Sequence, residues 1–193
     1  MLQAISTLYS NLEKHCCFCG VILMTILGID PGVATVGFGI ITNESATPKL
    51  VRYGVITTPS GVRLALRLKQ IHTDVCALIS MFKPDAIVVE ELFFNTNMKT
   101  AIMVSHGRAA VILAGEVNGI PMFEYTPLQV KKAVVGYGRA TKTQVMEMVR
   151  QQLSMDQIPK PDDAADALAV AICHARSSRS LMVTGGNSTC STI

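Results

Sequence analysis

The sequence has no tryptophan, and aromatic residues of all kinds make up only 5% of its 193 residues. Charged residues are also scarce, at 16%, whereas apolar residues reach 49%. Because so much apolar surface must be buried, the composition excludes a chain that is disordered throughout. The length suits one domain with a sizeable core rather than two, and the composition is typical of a compact α/β domain.

Long apolar runs are missing as well. The longest one near the N-terminus covers residues 21–29, whereas a bilayer span needs about 20 residues. No basic segment with a following apolar stretch and cleavage site precedes it, so we do not expect secretion. Cys16 and Cys19 form a C-x-x-C pair, but no second pair lies at zinc-site spacing. Cys76 and Cys173 fit buried positions of helices, and the overall pattern is typical of a reduced cytoplasmic protein.

The two ends of the chain fit no regular element well. We therefore predict an N-terminal extension over residues 1–23, one folded domain over residues 24–176 and a flexible tail over residues 177–193, which are rich in Ser, Thr and Gly. Met24 directly precedes a strong strand pattern, so it is an alternative start of the functional protein.

Net charge is only +3, with a pI near 8.6, and this balance does not by itself indicate nucleic acid. Basic residues are nevertheless concentrated in one stretch, which could follow a phosphate backbone or form an ordinary solvated surface. The members of this stretch are Lys99, Arg108, Lys131, Lys132, Arg139, Lys142 and Arg150.

Strand patterns open the domain and helical patterns follow. Three apolar runs separated by short turns predict an antiparallel meander, and strands and amphipathic helices then alternate. The predicted strands are 25–30, 35–42, 50–57, 85–94 and 121–125, and the main predicted helices are 61–82, 97–118, 141–153 and 164–176, with a further helical segment from Thr126. This order predicts an α/β fold with a five-stranded mixed sheet and helices packed on it.

Carboxylates lie within two of these predicted strands. Asp30 ends the first strand before Pro31-Gly32, where an ordinary turn residue is the alternative interpretation. Glu90 and Glu91 follow four apolar residues, and because strand side chains alternate, one of the two must face each side of the sheet. A buried carboxylate without compensation costs several kcal/mol, and strand alternation alone leaves open which Glu is functional.

A third group of acids begins the last helix. Asp163 and Asp166 are three residues apart and share one face, while Asp162 is a candidate N-cap. Favourable charge at a helix N-terminus is the simpler explanation. Carboxylates from separate elements could, however, converge to bind Mg²⁺, which prefers oxygen ligands. His106 and His174 raise the alternative of zinc, but no supporting motif accompanies them, and we expect local hydrogen bonds for both.

Five motifs together resemble the RuvC family of Holliday junction resolvases, within the RNase H-like superfamily. They are Ile-Leu-Gly-Ile-Asp30-Pro-Gly, Val-Val-Glu90-Glu-Leu-Phe-Phe, His-Gly-Arg-Ala-Ala at 106–110, Gln-Val-Lys-Lys-Ala-Val-Val-Gly at 129–136 and Asp163-Ala-Ala-Asp166-Ala-Leu-Ala. The resemblance runs from about Met24 to Arg176. It implies the RNase H-like fold, with helices on both faces of the sheet.

The resemblance also implies a metal-dependent endonuclease that makes paired symmetric nicks in four-way DNA junctions, as a homodimer, during recombination and repair. Two Mg²⁺ ions per site, replaceable by Mn²⁺, would be bound by Asp30, Glu90, Asp163 and Asp166, and the products would carry a 5′ phosphate and a 3′ hydroxyl. The implied partners include branch-migration proteins of the RuvA and RuvB type, in the bacterial cytoplasm near the nucleoid.

Several further residues are predicted to contact DNA. Phe93 matches an aromatic that unstacks bases near the junction centre, and Lys131 and Lys142 match basic residues near the scissile strand. We also assign Lys132 and Arg139 to DNA binding. The exposed helix around 98–114, with Met98, Met103 and Val104, is our candidate for dimer contacts.

Three other functions remain to be weighed. Other RNase H-like enzymes cut RNA–DNA hybrids or process ribosomal RNA precursors. Sugar-kinase and actin-like ATPases begin with a similar strand and turn, but they need a second copy of the domain, for which this chain is too short. A non-catalytic junction-binding module is the last alternative, and the complete set of acids argues against it.

Overall fold

A computed structural model describes residues 23–44, 47–91 and 98–184 of the chain. Five strands are described: β1 (Met24–Asp30), β2 (Thr35–Glu44), β3 (Thr47–Thr57), β4 (Ala86–Glu90) and β5 (Met122–Tyr125). The helices of the described part are α1 (Leu64–Phe82), α2 (Met98–Val117), α3 (Pro127–Val135), α4 (Lys142–Gln152) and α5 (Asp162–Thr184). None of the helices in these ranges is both long and apolar enough to cross a membrane.

The strands form one mixed sheet in the order β3-β2-β1-β4-β5. β1 pairs antiparallel with β2, and β2 with β3, whereas β4 runs parallel to both β1 and β5. The predicted five-stranded mixed sheet is therefore confirmed. In the parallel register Ile29 lies beside Val89, so the next residues, Asp30 and Glu90, leave the sheet side by side.

Helices cover both faces of the sheet, as the resemblance implied. One apolar cluster joins the sheet to α1 and α2 and includes Leu27, Ile87, Val89 and Val111. The opposite cluster joins it to α3, α4 and α5 and includes Ile26, Val88, Val130 and Leu168. Burial of each of these aliphatic side chains stabilises the folded protein by roughly 1.5–3 kcal/mol relative to leaving it exposed.

Local sequence explains where most helices begin and end. Thr126 and Thr141 cap α3 and α4, and each accepts a backbone N–H bond from a glutamine three residues later, Gln129 and Gln144. These are capping boxes, and the predicted N-cap at Thr141 is confirmed. At the end of α1, Lys83 adopts the left-handed conformation that commonly terminates a helix.

Some predicted boundaries were wrong. α1 begins at Leu64 rather than Gly61, since the buried positions of the helix start only beyond that point. β4 ends at Glu90, so Glu91 lies outside the strand that we predicted to continue to 94. α5 continues to Thr184 and takes in residues 177–184 of the predicted tail. There the hydroxyls of Ser177 and Ser178 bond to carbonyls one turn earlier, which is compatible with a helix.

Candidate metal and nucleic-acid site

The four predicted carboxylates come from three elements that meet on one face of the sheet. Asp30 ends β1 and Glu90 ends β4, while Asp163 and Asp166 lie in the first turns of α5. The position of α5 places Glu90, rather than Glu91, on the same side as the other acids. Val88 packs on the α5 side of the sheet, so Glu90 shares that side, and Glu91 is exposed beyond the strand.

Two glycines allow α5 to approach the sheet closely enough for this convergence. A Cβ atom on Gly28 would overlap the carbonyl oxygen of Ala167, and one on Gly37 would overlap that of Asp163. Gly37 is the register partner of Asp30. Helix backbone therefore lies directly on the strand backbone beside Asp30, and Asp163 and Asp166 are carried to the same place.

The electrostatics of Asp30 show how close the acids are. Burial, followed by the negative charges of Asp166, Asp163 and Glu90 in that order, raises the pKa of the Asp30 carboxyl from 3.8 to about 7. Burial is likewise the main reason that the pKa values of Glu90 and Asp166 are raised. Like charges held together in a partly buried cluster favour protonation or a bound cation.

Two lysines oppose this repulsion. The Lys142 ammonium lies 3.0 Å from an Asp166 oxygen and 3.4 Å from an Asp162 oxygen. Burial lowers the pKa of Lys142, but its hydrogen bonds and charge interactions with Asp166 and Asp162 outweigh that effect and raise it overall. Lys131 and Lys142 both counteract the upward shift of the Glu90 pKa.

A surface cleft of about 250 Å³ lies beside two of the carboxylates and both lysines. Its polar lining consists of Glu90, Asp166, Lys131 and Lys142, and its apolar lining comes from α3, α4 and α5. Carboxylates and ammonium groups that line one cleft suit a phosphodiester that approaches with divalent cations.

The donor set fits hard cations rather than zinc. In the ranges that the structure describes, no three His, Cys, Asp or Glu side chains are placed so that they could hold one metal ion together. Mg²⁺ typically takes one or two protein carboxylates and completes its shell with water and phosphate, so pairs of the present acids suffice for it. Structural zinc needs four protein ligands, and catalytic zinc needs three.

The histidines do not support zinc either. His174 is buried and hydrogen bonds through Nδ1 to the Tyr125 hydroxyl at 2.9 Å, as we expected of a local contact. His106 is different: its Nδ1 is buried and has no hydrogen-bond partner among the described residues, so that ring nitrogen does not make the local bond that we expected.

The remaining predicted DNA contacts are scattered. Lys132 and Arg139 are exposed, and neither lines the cleft. Phe93, Cys16 and Cys19 lie outside the described residues. In the predicted basic stretch, Arg108 is only 7% exposed and Arg150 pairs with Glu147 at 2.7 Å, so neither presents a free charge to DNA.

Sequence reasoning missed the contacts that two residues make at the site. Asp162 pairs with Lys142, although we considered it only as an N-cap. Arg108 donates to the carbonyl oxygen of Glu90 at 3.0 Å. The 106–110 motif drew attention to this arginine, but only the tertiary structure brings it to the end of β4.

Comparison with known proteins gives a consistent result. Residues 26–174 match the family model described as crossover junction endodeoxyribonuclease RuvC. The RuvC proteins of Syntrophomonas wolfei and Alkaliphilus metalliredigens are 53% and 54% identical to the chain, covering 81% and 80% of it and 91% and 94% of their own lengths. The structure of Thermus thermophilus RuvC in complex with a Holliday junction substrate superposes with a TM-score of 0.81 at 34% identity, over 88% of this chain and 99% of that one.

Proposed function

Because the chain belongs to the RuvC family of crossover junction endodeoxyribonucleases, we propose that it resolves Holliday junctions in homologous recombination and DNA repair. The supporting observation in the molecule itself is the convergence of Asp30, Glu90, Asp163 and Asp166 beside Lys131 and Lys142. The proposed reaction is hydrolysis of paired phosphodiesters in strands of like polarity, leaving a 5′ phosphate and a 3′ hydroxyl.

The four carboxylates would hold two Mg²⁺ ions, or Mn²⁺ in their place. Asp30 has the most strongly raised pKa of these acids, so it is the proposed central ligand, and Glu90, Asp163 and Asp166 would supply the remaining carboxylates. Bound there, the ions would activate a water molecule and stabilise the leaving oxygen of the cleaved bond.

The chain's own cations would act on the scissile phosphate. Lys142 has an ammonium group directly at the carboxylates, and Lys131 lies across the same cleft. We assign them the neutralisation of charge that develops on phosphorus during in-line displacement. Lys132 and Arg139 would bind flanking phosphates, and Phe93 would unstack bases at the junction centre.

A homodimer would supply the two sites that paired nicks require. α2 presents large apolar side chains to solvent, and Ile102, Leu113 and Val117 are 53%, 55% and 68% exposed. Such a face fits a self-complementary interface better than an isolated surface. Of the candidates named from sequence, Met103 is exposed and Val104 only partly so. Branch-migration proteins of the RuvA and RuvB type are the further proposed partners, in the bacterial cytoplasm at the nucleoid.

The test is cleavage of a synthetic four-way junction with each strand labelled in turn, with Mg²⁺ and with chelator. We expect Mg²⁺-dependent nicks at matched positions on two opposed strands, and no cutting of linear duplex. Cleavage of an RNA–DNA hybrid but not of the junction would indicate a ribonuclease instead. Junction binding with no nicking at any Mg²⁺ or Mn²⁺ concentration would identify a binding module.

A further inference from the structure

Arg108 is a buried cation on the side of the sheet opposite α5, yet it reaches the strand end that carries Glu90. Its Nη1 donates to the Glu90 carbonyl oxygen at 3.0 Å. Its Nη2 pairs with the carboxylate of Glu124 on the neighbouring strand β5. A buried guanidinium requires such partners, and it fixes them in a planar, directional arrangement.

The peptide group that follows Glu90 is held at both of its polar atoms. Arg108 bonds its carbonyl oxygen, and its N–H, which belongs to Glu91, donates to the Tyr125 carbonyl oxygen at 2.8 Å. The orientation of this peptide determines where the Cα–Cβ bond of Glu90 points, and so where the carboxylate enters the cleft.

The same turn of α2 also contacts the chain just beyond Asp30. A Cβ atom on Gly107 would overlap the carbonyl oxygen of Gly32, so helix and turn are in backbone contact there. Gly107 and Arg108 are adjacent, and they therefore bind the ends of β1 and β4 to one rigid helix. This links the two strand-borne carboxylates from the face of the sheet opposite α5.

We infer that Arg108 is a positioning residue that sets the spacing of the Asp30 and Glu90 carboxylates and thereby the affinity of the site for divalent cations. The inference rests on the proposed function, since it assumes that these two acids bind metal. Outer contacts that orient metal ligands change affinity by about 10–100-fold when they are removed.

The experiment uses Arg108→Lys and Arg108→Gln in the full-length protein. Lysine keeps the charge that Glu124 requires, but as a point donor it cannot bond both partners in a planar fork. Calorimetric titration with Mn²⁺ measures affinity directly, without DNA or cleavage. We expect Mn²⁺ to bind about 10–100-fold more weakly to both variants, and the Mn²⁺ concentration for half-maximal junction nicking to rise in parallel, with the rate largely restored at saturating Mn²⁺.

Two further variants separate positioning from general stability. Val111→Ala removes a fully buried side chain from the same helix, one turn away, without touching Glu90, and it should leave Mn²⁺ affinity unchanged. Glu124→Gln keeps the size of the partner and removes only its charge, so it reports on Arg108 even if Arg108→Gln does not fold. We expect weaker Mn²⁺ binding in Glu124→Gln, in the same direction as in Arg108→Lys.

Wild-type Mn²⁺ affinity in the folded Arg108→Lys and Glu124→Gln proteins would overturn the inference, as would an equal loss in Val111→Ala. The proposed function fails in a different way. In that case the wild-type protein would not nick junctions at saturating metal, whereas the calorimetric comparison of the variants would still decide the role of Arg108.

Discussion

Gly28 of β1 and Ala167 of α5 lie in direct contact, and a side chain on Gly28 would overlap the Ala167 carbonyl oxygen and come within 2.9 Å of the Ala171 Cβ atom. The helix backbone therefore rests on the strand itself rather than on intervening side chains. Asp166 immediately precedes Ala167, so this contact sets the height of the α5 carboxylates above Asp30.

A methyl group at Gly28 should consequently push α5 away from the sheet. We expect Gly28→Ala to destabilise the protein by about 1–3 kcal/mol, the usual cost of overpacking a core, and to weaken Mn²⁺ binding. Denaturant unfolding and calorimetry measure the two effects. Gly61→Ala is the matched control, since a Cβ atom there meets nothing within 4 Å, and equal stabilities of the two variants would contradict the close packing.

Asp30→Asn should abolish nicking while junction binding persists, because the amide cannot replace a carboxylate ligand. It should also stabilise the metal-free protein near neutral pH. The pKa of Asp30 is raised from 3.8 to about 7 in the fold, so the folded state holds a proton that the unfolded state releases, and stability falls as pH rises through that window. The difference amounts to at most about 4 kcal/mol.

Thermal unfolding in chelator across this pH range measures how the Asp30 carboxyl affects the stability of the protein. The stabilities of wild type and Asp30→Asn should be similar at acid pH and should differ increasingly toward neutral pH. Added Mg²⁺ should reduce this difference in stability. Asp156→Asn, at an exposed acid that does not line the cleft, controls for loss of one negative charge. Nicking at the wild-type rate by Asp30→Asn would remove this residue from the proposed site.

Lys142→Gln should reduce nicking much more than it reduces junction binding. Its ammonium lies at the carboxylates, where removal of one charge-stabilising group typically costs about 10²–10³ in rate. Single-turnover cleavage at saturating Mg²⁺ gives the rate, and binding in chelator gives the affinity. Lys69→Gln alters an exposed lysine of α1 and should change neither, while a Lys142→Gln defect confined to affinity would assign the residue to DNA binding alone.

His174 should make the fold sensitive to acid. Burial lowers its pKa from 6.5 to about 4, so the unfolded state takes up a proton first as pH falls. The neutral imidazole therefore contributes its full stability above the unfolded-state pKa of 6.5. This contribution falls by up to about 3 kcal/mol as the pH drops from 6.5 to the folded-state pKa of about 4.

Replacement of His174 by Gln removes that titration whatever it does to absolute stability. We therefore expect a shallower dependence of unfolding free energy on pH in His174→Gln than in wild type, most clearly between pH values of about 5 and 6.5, above the range where most carboxylates titrate. Parallel curves for the two proteins would show that the imidazole takes up its proton equally in the folded and unfolded states, which would contradict a lowered pKa.

Sequence periodicity predicted the sheet and the strand end at Asp30 because alternation and turn residues are local properties, although it carried the fourth strand beyond Glu90 to residue 94. It could not choose between Glu90 and Glu91, since that choice depends on which side of the sheet α5 covers. The close approach of α5 was hidden for a similar reason. Gly28 and Gly37 lie in strands, which glycine usually destabilises. Only the packed helix shows that they allow its backbone to approach the sheet.

Charge patterns were the least reliable guide. Arg108 looked like a member of a surface stretch, but the fold buries it against Glu124 and the Glu90 carbonyl. Partners separated in the chain cannot be inferred from composition. The acids of α5, in contrast, could be placed from their three-residue spacing, because the helix period itself puts them on one face.

The contact of Lys142 with Asp166 has a consequence for the order in which ligands arrive. A carboxylate cluster that carries its own counter-ion repels a polyanion less than a bare one, so DNA can settle in the cleft before any divalent cation does. We therefore expect association with the branch to be insensitive to Mg²⁺ and strand scission to follow its concentration. In the cell, the Mg²⁺ concentration would then control cleavage of the junction without controlling its binding.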